Sequence, residues 1–255
     1  MTTAAGIDRA PDDDRMRAGG DVPAGRAGKD AAKEGRGARR PQRRRRGGWR
    51  IPAGLIALSL VPSIAGAHRL GELATSAPVT EENARFFAMP LPVVAHIIGA
   101  IVYSVLGAFQ FAPAFRRRHP GWHRIAGRVL VGAGVIVAVS GLWMAVFYDL
   151  PPIDGPVLEL TRLVVGTGML AALVLAVVTI RRRDIAAHRA WMIRAYALAM
   201  GAGTQVFTHL PYELIAGTPG VGTRAFLMGA GWGINIIVAE WIIRGRPGPR
   251  ARRPA

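Results

Sequence analysis

The chain is predicted to be all-α and membrane-embedded, with six transmembrane helices, spans two to five forming a four-helix core bundle, and both termini cytoplasmic. Three observations predict this. First, six apolar stretches lie near residues 49–67, 90–113, 127–148, 159–180, 190–212 and 224–243. Each holds about 19 to 24 residues, enough to cross a hydrocarbon core of about 30 Å as a helix. Second, charge alternates between the connections. Of 33 Lys and Arg residues, 14 lie in residues 1–50, five at 116–128, five at 181–194 and five after 243. Positive residues stay on the cytoplasmic side, which places the first tail, the even connections and the last tail inside. The odd connections carry Glu72, Glu81, Glu82, Asp149, Asp154 and Glu213 instead. Third, the apolar stretches are dominated by Ala, Val, Leu, Ile and Gly, a composition suited to membrane helices that pack through small residues.

The elements follow in order. Residues 1–47 are rich in Gly, Ala, Asp and Arg, with almost no large apolar residue, and read as a disordered basic cytoplasmic tail. The tail ends in Arg43-Arg44-Arg45-Arg46. The first apolar stretch has a signal-peptide look, with Ala65-Gly66-Ala67 as a small-residue cleavage pattern. A basic lead that long favours a retained helix. The transmembrane domain is read as 48–245, and 246–255 as a second basic cytoplasmic tail.

Between the second and third spans, Arg116-Arg117-Arg118 precedes His123-Arg124. Between the fourth and fifth, Arg181-Arg182-Arg183 precedes His188-Arg189, 65 residues further on in each case. Two helical hairpins of one plan would make the four-helix bundle. Pro151-Pro152 stiffens the external loop between the third and fourth spans. Gly217-Thr218-Pro219-Gly220 is a turn cluster before the sixth.

Composition excludes several functions. The chain has no cysteine, hence no disulfide, thiolate metal site or cysteine nucleophile. The net charge of +17 sits in tails and membrane-flanking loops. Such clusters set orientation and meet anionic lipids, so the expected partners are the bilayer and its anionic lipids, with no nucleic acid. No Gly-x-Ser-x-Gly or His-Glu-x-x-His occurs. The paired glycines of the third, fifth and sixth spans follow no strand and read as helix-packing positions.

Ionisable residues at membrane depth are costly and usually functional. At about 1.5 Å per residue, His96 lies about 10 Å below the outer surface on the second span. His209 reaches the outer boundary on the fifth. Two imidazoles at matched depth are candidate axial ligands for haem b, with Arg162, an arginine that topology does not require, as a propionate partner. A quinone or other redox partner would follow, and Tyr103, Gln110 and Gln205 are further polar groups for it. The competing readings are helix–helix hydrogen bonding by structural histidines and a proton or metal site. At the cytoplasmic mouth, His123, Arg124, Arg128, His188, Arg189 and Arg194 form a candidate site for anionic headgroups or an anionic ligand. Trp122 and Trp191 read as interfacial anchors.

Three stretches carry a resemblance. They are His96 with Tyr103 through Phe111, Trp122-His123-Arg124 with Gly127-Arg128, and the run His188-Arg189-Ala190-Trp191-Met192-Ile193-Arg194-Ala195-Tyr196. Together they resemble a group of bacterial predicted membrane proteins of unknown function over roughly residues 90–240. The resemblance implies a multi-pass membrane protein and supplies no activity. In architecture the chain is more distantly similar to the cytochrome b561 and ferric-reductase-like groups, which place paired histidines on a four-helix core. It departs from them in having no histidine on the fourth span. The sequence therefore supports a cell-membrane, multi-pass protein with two functional expectations. One is haem-based electron transfer. The other is a non-enzymatic permease, lipid-binding or structural protein.

Overall fold

The computed structural model describes residues 49–245, so both expected tails lie outside the described residues. Nine helices are found in this range: α1 Arg50–Ala74, α2 Ala84–Ala88, α3 Pro90–Gln110, α4 Pro113–Arg118, α5 Pro120–Phe147, α6 Gly155–Arg181, α7 Ile185–Ala199, α8 Gly201–Ala216 and α9 Val221–Arg244. Among the described residues there is no strand. Five helices, α1, α3, α5, α6 and α9, are long and apolar enough to cross a membrane. The expected fifth span is present as two pieces, α7 and α8, meeting at Met200.

Local chemistry sets the helix starts. Proline stands in the first turn of α3, α5 and α6, where its missing N–H removes no helical bond. The Asp184 carboxylate accepts from the Ala187 N–H at 2.9 Å and caps α7. Gly155, the first residue of α6, has φ +61°, a conformation costly for any residue with a Cβ.

The helices pair as hairpins. α3 packs on α5, α6 on α7 and α8 on α9, while α5 joins the first two hairpins through α6. α1 leans on α3 and α8. The second hairpin repeats the first at the same offset as the loop motifs: α6 begins 65 residues after α3, and α7 begins 65 after α5. The main core draws on the four expected spans through Tyr103, Leu130, Val137, Met169, Leu173 and Tyr196. Leu91, Ile98, Val164, Phe226, Ile237 and Trp241 lie exposed, the distribution expected when the surrounding medium is lipid.

The interruption at Met200 decides the shape of the interior. Thr204 and Gly203 both donate their backbone N–H to the Met200 carbonyl, at 3.3 and 3.2 Å. The Ala197 carbonyl accepts from the Asn235 side-chain amide of α9 at 3.1 Å. Thr204 donates its hydroxyl to Asn235 Oδ1 at 2.8 Å. Inserted polar groups of this kind bend a helix. Gly203 then sits directly against the Leu58 backbone of α1, where a Cβ would collide. Beyond the bend, Gln205 and Thr208 reach the Met228 and Leu227 carbonyls at 3.1 and 2.8 Å, binding α8 to α9.

Candidate functional site

A cavity of about 240 Å³ lies between α1, α3 and the α7–α8 junction. Its walls include Ser59, Ser63, His96, Ser104, Met200 and Gly203. His96 stands about 9 Å along α3 from Pro90 and Ser104 about 21 Å, at 1.5 Å per residue. The space therefore lies at mid-depth along α3, and it opens outward where Ala202 is exposed. Ser59 donates to the Ile56 carbonyl at 3.0 Å, so hydroxyl capacity remains mainly on Ser63 and Ser104. The rest of the lining is apolar, with Pro62, Ile97, Ala100 and Ile101 among it.

The histidines share one feature. His96 Nδ1 lies 3.0 Å from the Val137 carbonyl and 3.1 Å from the Ser140 hydroxyl. His188 Nδ1 lies 2.8 Å from the Ala176 carbonyl. His209 Nδ1 lies 3.0 Å from the Gln205 carbonyl. His123 Nδ1 meets Gln110 Oε1. An oxygen that only accepts requires N–H at Nδ1, so in each neutral ring the lone pair is on Nε2. An imidazole fixed this way presents Nε2 as a hydrogen-bond acceptor or a metal ligand. His209 Nε2 is buried without a partner.

The structure separates His96 and His209 by surroundings. His96 lines the cavity and His209 does not. Neither has the other as a hydrogen-bonding partner. Arg162, expected to meet a propionate, instead holds Asp154, Nη1 to Oδ2 at 2.7 Å. The cavity is also below the roughly 300–1,000 Å³ of ordinary cofactor pockets. Neither the cavity nor Arg162 therefore brings His96, His209 and a propionate partner to one site. Among the described residues no cluster of three or more His, Asp or Glu side chains could hold a metal ion.

The His-Arg cluster also divides. His123 and His188, at equivalent positions of the two hairpins, lie within electrostatic reach of each other. Each is bonded to the preceding helix of its own hairpin. Arg194 is committed to Glu240 in a two-pronged pair, at 2.6 and 3.2 Å. It also stacks over Trp191 at 4.5 Å. Glu240 takes Arg244 as well, at 3.3 Å. Arg194 is thus a tie between α7 and α9 rather than a headgroup ligand. Arg124 reaches back to the Pro120 carbonyl at 3.4 Å, and Arg128 is exposed.

Of the further polar groups, Gln205 is spent on α9 and Gln110 on His123. Tyr103, 1 % exposed, keeps a hydroxyl without a partner in the core. Tyr196 donates to the Ser104 carbonyl at 2.8 Å. The serines of α1 and the Asn235–Thr204 pair escaped the sequence reading. A lone Asn inside an apolar helix is the signal that marked the latter.

A multi-pass helical bundle with this arginine and histidine pattern also matches a family model, described as predicted membrane protein (DUF2306), over residues 93–243. The chain belongs to that family. The DUF2306 segment takes in α3 to α9 nearly whole and leaves α1 outside it. Neither the curated proteins nor the solved structures give a match to the chain.

Proposed function

We propose that this DUF2306 membrane protein binds a small uncharged polar solute within the bilayer and serves as its permease. The observation that carries the reading is the cavity at the interrupted fifth span. Interrupted helices that line a space at membrane depth are a common way membrane proteins build solute sites. The lining offers hydroxyls and the His96 Nε2 lone pair but no fixed charge. A ligand with its own N–H or O–H donors satisfies that imidazole, and a charged one would enter without a counter-ion. The volume admits a molecule of a few heavy atoms.

Stopped-flow swelling of proteoliposomes in glycerol, erythritol and urea tests the reading. At least one solute is expected to enter faster than into protein-free vesicles. Filling the cavity by Ala100→Leu should return that rate to background. Equal rates with and without protein for all three solutes would sink the proposal.

A further inference from the structure

Four arginines gather on the face where α1 ends and α3, α6 and α9 begin: Arg69, Arg85, Arg162 and Arg224. They come from α1, α2, α6 and α9. Cations are rare on the side of a membrane protein opposite its basic loops, so each needs a local reason. Asp154 supplies it for two. Arg162 Nη1 lies 2.7 Å from Oδ2, and Arg224 Nε 2.7 Å from Oδ1. Glu72 supplies it for Arg69, at 2.6 Å. Arg85 has no carboxylate within ion-pair distance among the described residues. It lies over the Phe86 ring, 4.6 Å from the centroid, and Arg69 lies over the same ring at 4.6 Å. Arg69, Arg162, Asp154 and the exposed Glu82 are all within electrostatic reach of it. Burial, and then the two neighbouring guanidiniums, hold the Arg85 pKa below the usual arginine value despite Asp154. Asp154 thus takes two of the four guanidiniums and Glu72 a third, and Arg85 is left with a ring contact in place of an ion pair.

We propose that Arg85 binds an oxyanion, phosphate or carboxylate, on this face. The guanidinium fork matches both groups with paired N–H donors. Phe86 positions Arg85 from one side through the ring face and leaves the N–H edge for the ligand. An anion here relieves the repulsion among Arg69, Arg85 and Arg162. The site shares no residue with the cavity wall, so it stands apart from the permease reading. A free anion and a lipid phosphate present the same chemistry, and the experiment separates them.

The protein in uncharged detergent is titrated with inorganic phosphate, with calorimetry and thermal unfolding as readouts. The same variants are then compared in phosphatidylcholine nanodiscs with and without phosphatidylglycerol. Phosphate or phosphatidylglycerol should raise Tm by a few degrees. Arg85→Gln should weaken binding at least tenfold, and Arg85→Lys should restore part of it. Without any anion, Arg85→Gln should unfold at the same or a higher temperature, because a repelling charge has gone. A response to phosphate identifies a free-anion site, and a response to phosphatidylglycerol alone identifies a headgroup site. No response to either, an equal response from Arg85→Gln, or a lowered resting Tm that Arg85→Lys does not repair would each overturn the proposal.

Discussion

Asp154 is 3 % exposed and holds two guanidiniums from different helices. Burial pushes its carboxyl upward, but the hydrogen bonds from Arg224 and Arg162 outweigh this and hold it below the usual carboxylate range. A lowered folded pKa means stability that is full above the unfolded value of about 3.9 and is lost as pH falls through the folded value. Melting temperature should therefore drop below about pH 4. Asp154→Asn should abolish that acid-dependent part and cost about 3 kcal/mol at neutral pH, since it strands two partly buried cations. Denaturant or thermal titration of both proteins from pH 3 to 7 checks both signs. The sequence shows Arg162 as a cation without a topological purpose but hides its partner. Asp154 lies eight residues earlier, beyond the i,i+3 and i,i+4 spacings that link charges along a helix, and its loop reads only as an acidic connection. His96 shows the converse limit. Its depth is readable from position, but its bond to Val137 depends on how α3 turns against α5, which depth does not specify.

At the scale of elements, five spans were legible because each is a long apolar run bounded by charge or proline. The fifth was expected as a continuous helix over 190–212, and its hydropathy gives no reason to divide it. The division comes from tertiary partners: Asn235 on the Ala197 carbonyl, and Leu58 against Gly203. Asn235→Leu removes the partner of both that carbonyl and the Thr204 hydroxyl. Side-chain hydrogen bonds between membrane helices average about 0.6 kcal/mol and reach about 1.7. A loss of about 1–3 kcal/mol is therefore expected for the pair, read as the shift of an SDS-unfolding midpoint. If the bend shapes the cavity, solute entry should fall in the same variant. Gly203→Leu should act from the other side by driving α1 away from α8, and a crosslink between α1 and α8 positions should lose yield. Arg194→Lys should loosen α7 from α9 by about 1 kcal/mol, because an ammonium cannot reproduce the two-pronged geometry on Glu240.

For the whole molecule, the charge partition predicts that the connection at Thr80 faces outward and that at Arg182 faces the cytoplasm. The absence of cysteine makes the test direct, since no background thiol exists. In intact cells, Thr80→Cys should react with a membrane-impermeant maleimide, and Arg182→Cys should react only after permeabilisation. The reverse labelling would invert the topology. The 65-residue offset was visible in the loops because arginine triplets and His-Arg pairs stand out. In the helices it is hidden, because apolar residues exchange freely while the backbone plan persists. A different consequence follows from where the DUF2306 match begins. The segment shared with the family supplies His96, Ser104 and the bend, but α1 supplies Ser59, Pro62, Ser63 and Gly66 to the same cavity. On the permease proposal, the lining that would set selectivity therefore comes partly from the matched segment and partly from α1. On that proposal, substitutions on the face of α1 that bears Ser59 and Ser63 should retune which solutes enter.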